Sequence, residues 1–434
     1  MTARSDFLVR MWGSSRGMCV HRMWGPPSGG PVWLLAGLLL LGTRTAAAQT
    51  TTADGGPDPS VVRVRIGPLW MNPTLSLTNL GIDDNIFNEP TDAPPKRDFT
   101  LTLSPQADLW IRMGRTWLSG NLKEDLIWYR DYASERTANT SYGIGWRVPL
   151  NRLSFATTAN WMSTRERQGF EIDARLQRDE TRYRAAVEVR ALSKTFVGVN
   201  GSWTKSEFDT NAVFQGSNLH DELTSRGFMV GLAVRHQLTP LTSVAVGVSR
   251  AEDRFEFSPL RDSNSMIYTT TVTFDSGALI RGSAMVGYRD FVPRSTTVPG
   301  YAGVTTAVDL SYTLFGATRF GGQIARDVQY SYDVSQPYYI STGVNASVAQ
   351  QIFGPLDAIA RIGWQGLDYR DRAGAVVAVS GRSDTIRSYG AGVGYRLGSS
   401  MRIGFNIDKQ IRTSELLSRR YEGLRYGTSI TYGM

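Results

Sequence analysis

Residues 304–314 read VTTAVDLSYTL. Val304, Thr306, Val308, Leu310, Tyr312 and Leu314 fall on one face of an extended chain, and Thr305, Ala307, Asp309, Ser311 and Thr313 on the other. A period of two is the signature of a strand with two unlike faces. Residues 278–289 (ALIRGSAMVGYR) repeat the pattern, with Arg281 and Arg289 on the polar face. It recurs at 402–412, where Ile403, Phe405, Ile407 and Ile411 oppose Arg402, Asn406, Asp408 and Arg412, and at 152–161, where Leu153, Phe155, Ala159 and Trp161 oppose Arg152, Ser154, Thr158 and Asn160. Soluble strands run about five or six residues. These run to a dozen, and a tilted strand needs about 9–11 to cross a bilayer. A face carrying mid-strand Arg, Asp and Asn is too charged for a dry sandwich core but suits a wet lumen.

Working outward, the spacing predicts eighteen such strands: 72–80, 99–113, 115–130, 137–148, 152–163, 180–192, 194–207, 225–237, 240–254, 265–276, 278–291, 302–315, 317–332, 338–352, 355–370, 384–397, 400–413 and 421–434. Their joins alternate between short and long, as in outer-membrane barrels with tight periplasmic turns and long outer loops. The expected fold is therefore all-β: a transmembrane, antiparallel, up-and-down outer-membrane barrel over residues 61–434. It has about 18 strands, with 16 as the alternative. Trp117, Trp146 and Tyr312 near short turns, and Trp128, Trp161, Trp203 and Tyr288 near long ones, suit two interfacial girdles. Glu124, between Leu122 and Leu126 on the apolar face, fits badly. So does 355–370, where Arg361 and Gln365 share a face with Ile359 and Leu367.

Composition agrees. Of 434 residues 44 are glycine and only 20% are charged. Residues 1–48 read as a cleaved signal peptide: a basic start, the apolar run VWLLAGLLLL at 32–41, then Ala46-Ala47-Ala48. Met18 or Met23 would give a start of more usual length. Residues 49–60 form a polar linker toward the periplasm. Removing the signal takes away five arginines, one aspartate and Cys19, leaving 42 basic against 38 acidic side chains. That balance argues against a nucleic-acid binder. His220 and His236 remain and belong to no hydrolase motif, no cofactor or metal spacing is present, and an enzyme is not expected.

Two stretches carry a resemblance. The C-terminus, LRYGTSITYGM over 424–434, resembles the β-signal that the barrel-assembly machinery reads, with Arg425, Gly427, Ile430 and Tyr432 in its places. Gly433 and Met434 follow the expected terminal aromatic. Residues 61–88 (VVRVRIGPLWMNPTLSLTNLGIDDNIFN), with their Gly-Pro turn and Asp83-Asp84-Asn85-Ile86-Phe87, resemble the start of the putative β-barrel porin 2 family, as do 320–333 and 338–371 in layout. The resemblance implies an outer-membrane barrel, embedded in lipid, through which an extracellular or capsular polysaccharide leaves the cell, with a periplasmic polysaccharide-export protein as partner. A general or solute-specific diffusion porin is the alternative. Asp83, Asp84 and Asn85 read first as turn formers; their oxygens are also of the kind that holds Ca²⁺. The expected lumen residues are Arg112, Arg147, Arg281, Arg289, Arg402, Arg412, Asp309 and Asp408. Six arginines against two aspartates point toward anionic sugars or phosphates. Trp110 and Tyr339 fall on inner faces, to stack on sugar rings or to fill space.

Overall fold

A computed structural model describes residues 56–57, 59, 62–275 and 277–433. The expected signal peptide over 1–48, most of the expected linker over 49–60 and Met434 lie outside the described residues. Among those described, eighteen long antiparallel strands form one sheet: β1 Leu69–Asp83, β2 Asp98–Met113, β3 Thr116–Tyr129, β4 Thr137–Pro149, β5 Leu153–Arg167, β6 Arg175–Arg190, β7 Thr195–Phe208, β8 Ser225–Thr239, β9 Thr242–Phe255, β10 Ser263–Phe274, β11 Ile280–Pro293, β12 Tyr301–Leu314, β13 Thr318–Tyr330, β14 Tyr338–Phe353, β15 Leu356–Arg370, β16 Ser383–Leu397, β17 Met401–Thr413 and β18 Tyr421–Tyr432. Each pairs with its neighbour in sequence, and β1 pairs with β18, so the sheet closes on itself and leaves no free edge. A three-residue strand, Val64–Ile66, folds back onto the start of β1. Closure into eighteen strands replaces the sixteen-strand alternative.

The alternation of faces follows the two solvents. Val304 is 50% exposed and Val286 55%, whereas Thr305 and Arg289, on the opposite face, are 1% and 4% exposed. The apolar face is the outer one and must meet lipid, because an aqueous exterior would leave a continuous apolar belt in water. Aromatic rings sit on this outer face: Tyr142 stacks on Trp161 at 5.3 Å and Tyr183 on Trp203 at 5.6 Å toward the long loops, while Tyr312 stacks on Phe320 near the short turns. Trp117 departs from the expected girdle. It points inward and is buried, 5.0 Å from the ring of Trp70. Glu124 does face outward, opposite Thr140. It lies beside Pro105, where the β2–β3 ladder skips from Leu103–Leu126 to Gln106–Lys123, because proline has no N–H to give.

Connections at one end have two to five residues and at the other seven to sixteen. The long end is assigned to the cell exterior by the rule for such barrels. The connection expected between strands 152–163 and 180–192 is shorter, spanning 168–174. β5 and β6 continue to Arg167 and from Arg175, paired residue by residue. Their charged side chains bond to one another and to neighbours, as in Arg178–Glu180 and Arg165–Glu135, so this hairpin projects beyond the apolar belt.

Candidate functional site: the lumen, its seam and its outer mouth

The inner wall has three tiers. Nearest the short turns stand Arg112, Arg147 and Arg281, which make no ion pair among the described residues. Arg112 and Arg147 are exposed to the lumen. Trp110 lies deeper in the wall and is buried, opposite Trp70; it fills space. Arg402, expected to line open lumen, is buried against the wall and grips Asp357 with Nε 3.0 Å and Nη2 2.5 Å from its carboxylate oxygens. Such two-pronged pairs hold a guanidinium flat against the sheet. Replacing Arg112, Arg147 and Arg281 by Gln is expected to reduce the anion preference of an open channel. The check is the reversal potential in a KCl gradient, which should move toward zero.

The middle tier is small and mostly neutral. Gly143 lies between Asn121 and Asn160, Gly231 between Asn200 and Ser249, and Gly363 between Asn345 and Ser388. A Cβ on Gly363 would come within 2.5 Å of both flanking side-chain oxygens, so the glycines make room for amides and hydroxyls that lie over them. Charges of both signs stand here: Asp108 lies opposite Asn121 and Arg182 opposite Asn160, Arg182 pairs with Glu180 at 2.7 Å, and Arg361 donates to Asp408 at 2.9 Å. Asp309 stays exposed and accepts a bond from Gln323. The waist thus offers hydrogen bonds with little net charge.

The outer tier is closed. The loop 168–174 joins β5 to β6, yet it makes contacts on β14 to β17, six to nine strands away around a ring of eighteen. A hairpin reaches the opposite wall only by crossing the mouth. Phe170 packs against a buried group made of Tyr339, Leu367, Tyr369 and Ile386. Arg412 donates through Nη1 to the Phe170 carbonyl and to Asp173 Oδ2, both at 2.9 Å, and through Nη2 to Asp384 at 2.6 Å. Arg419 reaches Asp173 at 3.2 Å and donates to the Glu171 carbonyl. Glu171 is buried and accepts bonds from Ser331 Oγ at 2.6 Å and the Tyr332 N–H at 3.2 Å.

Neighbouring segments complete the cover. Pairing of β12 with β13 ends at Thr306–Arg326, while β13 and β14 stay paired to Tyr330–Tyr338, so that hairpin leaves the wall. It leans inward until the Tyr330 hydroxyl meets Asp253 on β9 at 2.8 Å. The loop 209–224, with its short helix α1 (Leu219–Leu223), packs Phe214 edge-on to Tyr332 at 5.0 Å. Arg289 is buried at this level, 2.9 Å from Asp327.

Arg289, Arg412 and Tyr339 therefore point inward as expected, but they anchor the cover instead of lining open water. The mixed face of 355–370 has the same cause: Leu367 is inward and dry because Phe170 covers it. Sequence reading missed Asp173, Glu171, Arg419, Arg382 and Asp384. Its one available signal was an aromatic–acid run, Phe170-Glu171-Ile172-Asp173, in a loop that a free tip would not need.

Burial raises the Glu171 carboxyl above its ordinary range, against the Ser331 bond and the Arg419 and Arg382 charges that lower it. A raised value means that the closed loop is fully supported below the ordinary carboxyl range and loses support as pH climbs through the raised value. Open probability is expected to rise with pH from acid toward neutral. Recordings across that range on wild type and on Glu171→Gln, in which the slope should flatten, check this.

The third cluster is the closing seam. Asp83 ends β1 and stands directly opposite Arg425 on β18. The guanidinium Nη2 lies 2.7 Å from the Asp83 carboxylate. Asp84 accepts the Leu424 N–H at 2.6 Å, and Asn85 donates to the Glu422 carbonyl at 3.0 Å. All three residues of the motif therefore bind across the seam, with Asp83 and Asn85 also bonding within the turn. Among the described residues no group of three or more acidic, His or Cys side chains is arranged to hold a metal ion. Gly427 faces Gly81, where a Cβ on Gly81 would lie 2.0 Å from the Tyr426 carbonyl oxygen. Ile430 and Tyr432 face outward on the same strand and pair with Leu77 and Leu75.

Several solved structures are similar to the chain. The ferric enterobactin receptor of Pseudomonas aeruginosa is 11% identical over 86% of this chain and 81% of its own, with a TM-score of 0.42. The FrpB iron transporter of Neisseria meningitidis is 8% identical over 79% of this chain and 62% of its own, with a TM-score of 0.39. A bacterial polysaccharide outer-membrane secretin is 10% identical over 84% and 98%, with a TM-score of 0.34. No curated protein matches the chain in sequence. A model of the putative β-barrel porin 2 family matches residues 60–432, nearly all of the described barrel, and the chain belongs to that family of outer-membrane barrels.

Proposed function

We propose that this barrel is the outer-membrane conduit through which the cell exports an extracellular or capsular polysaccharide. The observation that carries the reading is the division of labour in the lumen. A ring of eighteen strands is wide enough for an aqueous channel, its waist is small, neutral and rich in amides and hydroxyls, and its outer mouth is covered by loops held through breakable ion pairs. A hydrated polymer needs such a waist, and a wide pore in an outer membrane needs a cover when idle. A signal peptide over 1–48 would deliver the chain to the periplasm, and the assembly machinery would read its last strand. A periplasmic polysaccharide-export protein would meet the short-turn rim, where Arg112, Arg147 and Arg281 stand. The protein acts as a passage and not as an enzyme. The unpaired arginines of that rim favour a second reading, a diffusion porin for small anionic solutes.

The test is genetic. Deleting the gene should abolish extracellular and cell-bound polysaccharide while polymer accumulates in the periplasm, and the wild-type gene should restore secretion. Unchanged secretion, with loss of small-anion uptake instead, would leave the porin reading.

A further inference from the structure

We propose that the arginine–tyrosine pocket at the outer mouth is a binding site for the uronic-acid units of an acidic polysaccharide, and that loop 168–174 fills it as a built-in mimic of such a unit. This rests on the export reading above and adds the class of sugar. The pocket belongs to the wall: Arg412 is on β17, Tyr339 on β14 and Tyr369 on β15. The loop supplies two complementary groups. The Phe170 ring lies among Tyr339, Leu367, Tyr369 and Ile386. Three residues on, the Asp173 carboxylate is held by Arg412 at 2.9 Å, Arg419 at 3.2 Å and Asn88 at 3.4 Å. A uronic acid presents the same pair, an apolar ring face with a carboxylate beside it, and adds hydroxyls.

The pocket has donors to spare for those hydroxyls. Arg412 Nε, Arg419 Nε and the Tyr369 hydroxyl are buried with no hydrogen-bond partner among the described residues. Buried donors are rarely left unmatched, so a loop that leaves three unmatched is an incomplete occupant. Paired guanidinium groups suit a planar carboxylate, and aromatic faces suit the ring. Below the pocket the waist carries little net charge, so discrimination between acidic and neutral polymers is placed at the mouth. Loop and polymer compete for one site, and an arriving acidic chain displaces the cover that blocks it.

The experiment is equilibrium binding of oligogalacturonate and, for comparison, of neutral maltooligosaccharides of equal length, to the refolded protein in detergent. It uses wild type, Asp173→Asn, and Glu171→Gln/Asp173→Asn, each checked for a heat-modifiable folded band. With the loop's carboxylates removed, oligogalacturonate should bind roughly a hundredfold more tightly than to wild type, as expected when a competing occupant that held the site closed is lost. Binding of maltooligosaccharide should not move, and adding Arg419→Gln should cancel the gain. Equal binding of acidic and neutral oligomers in every variant would overturn the uronic-acid site while leaving the conduit reading intact. Binding of neither by any variant would overturn both.

Discussion

Asp83→Asn is expected to destabilise the closed barrel by about 3–5 kcal/mol, the usual cost of removing one partner from a buried ion pair. Asp83 is 5% exposed, and its removal takes away the carboxylate 2.7 Å from the Arg425 guanidinium at the one place where first and last strands must meet. The seam has little else to compensate. Pairing of β1 with β18 covers Leu75–Leu77 and Leu80–Asp83, broken by the bulge at Thr78 and Asn79. Arg425→Gln should cost a similar amount. The double variant should cost little more than either single one, since contacting residues are not additive. Urea unfolding of the refolded proteins, followed by heat-modifiable gel mobility, gives the cycle. Additive losses, or single losses below about 0.5 kcal/mol, the range of ordinary surface changes, would show that the two motifs do not act together.

Asp173→Asn is expected to unlatch the outer cover. Both arginines on that carboxylate are buried, Arg412 fully, so its loss leaves two guanidinium groups of the closed state short of a partner. A penalty of about 3 kcal/mol or more shifts a closed-to-open ratio by roughly two orders of magnitude. Cells carrying the variant should admit large antibiotics that the outer membrane normally excludes, with the inhibitory concentration of vancomycin falling while expression stays at wild-type level. Unchanged resistance would mean that the cover is held elsewhere.

The strands were legible because lipid and water impose opposite demands on alternate residues. The alternation at 304–314 or 402–412 is a local record of both solvents. Arg412 was placed inward correctly by that record. Its burial was not legible, because it depends on Asp173, 239 residues earlier, arriving from across the ring. Asp83 and Arg425 were each singled out within separate motifs. Their meeting is a consequence of closure, which no local pattern encodes. The segment 164–179 shows no membrane-spanning alternation, yet above the apolar belt a paired strand is free to be charged on both faces. The position of Trp117 near a short turn suits a girdle because aromatics favour membrane interfaces; its inward face and its packing on Trp70 belong to the periplasmic mouth.

The most direct test of a barrel closed by its own loop is single-channel conductance of the refolded mature protein in a planar bilayer, wild type beside Asp173→Asn. Wild type should be closed with rare brief openings, and the variant should carry a steady large current. A steady open current through wild type, not increased by the substitution, would contradict it.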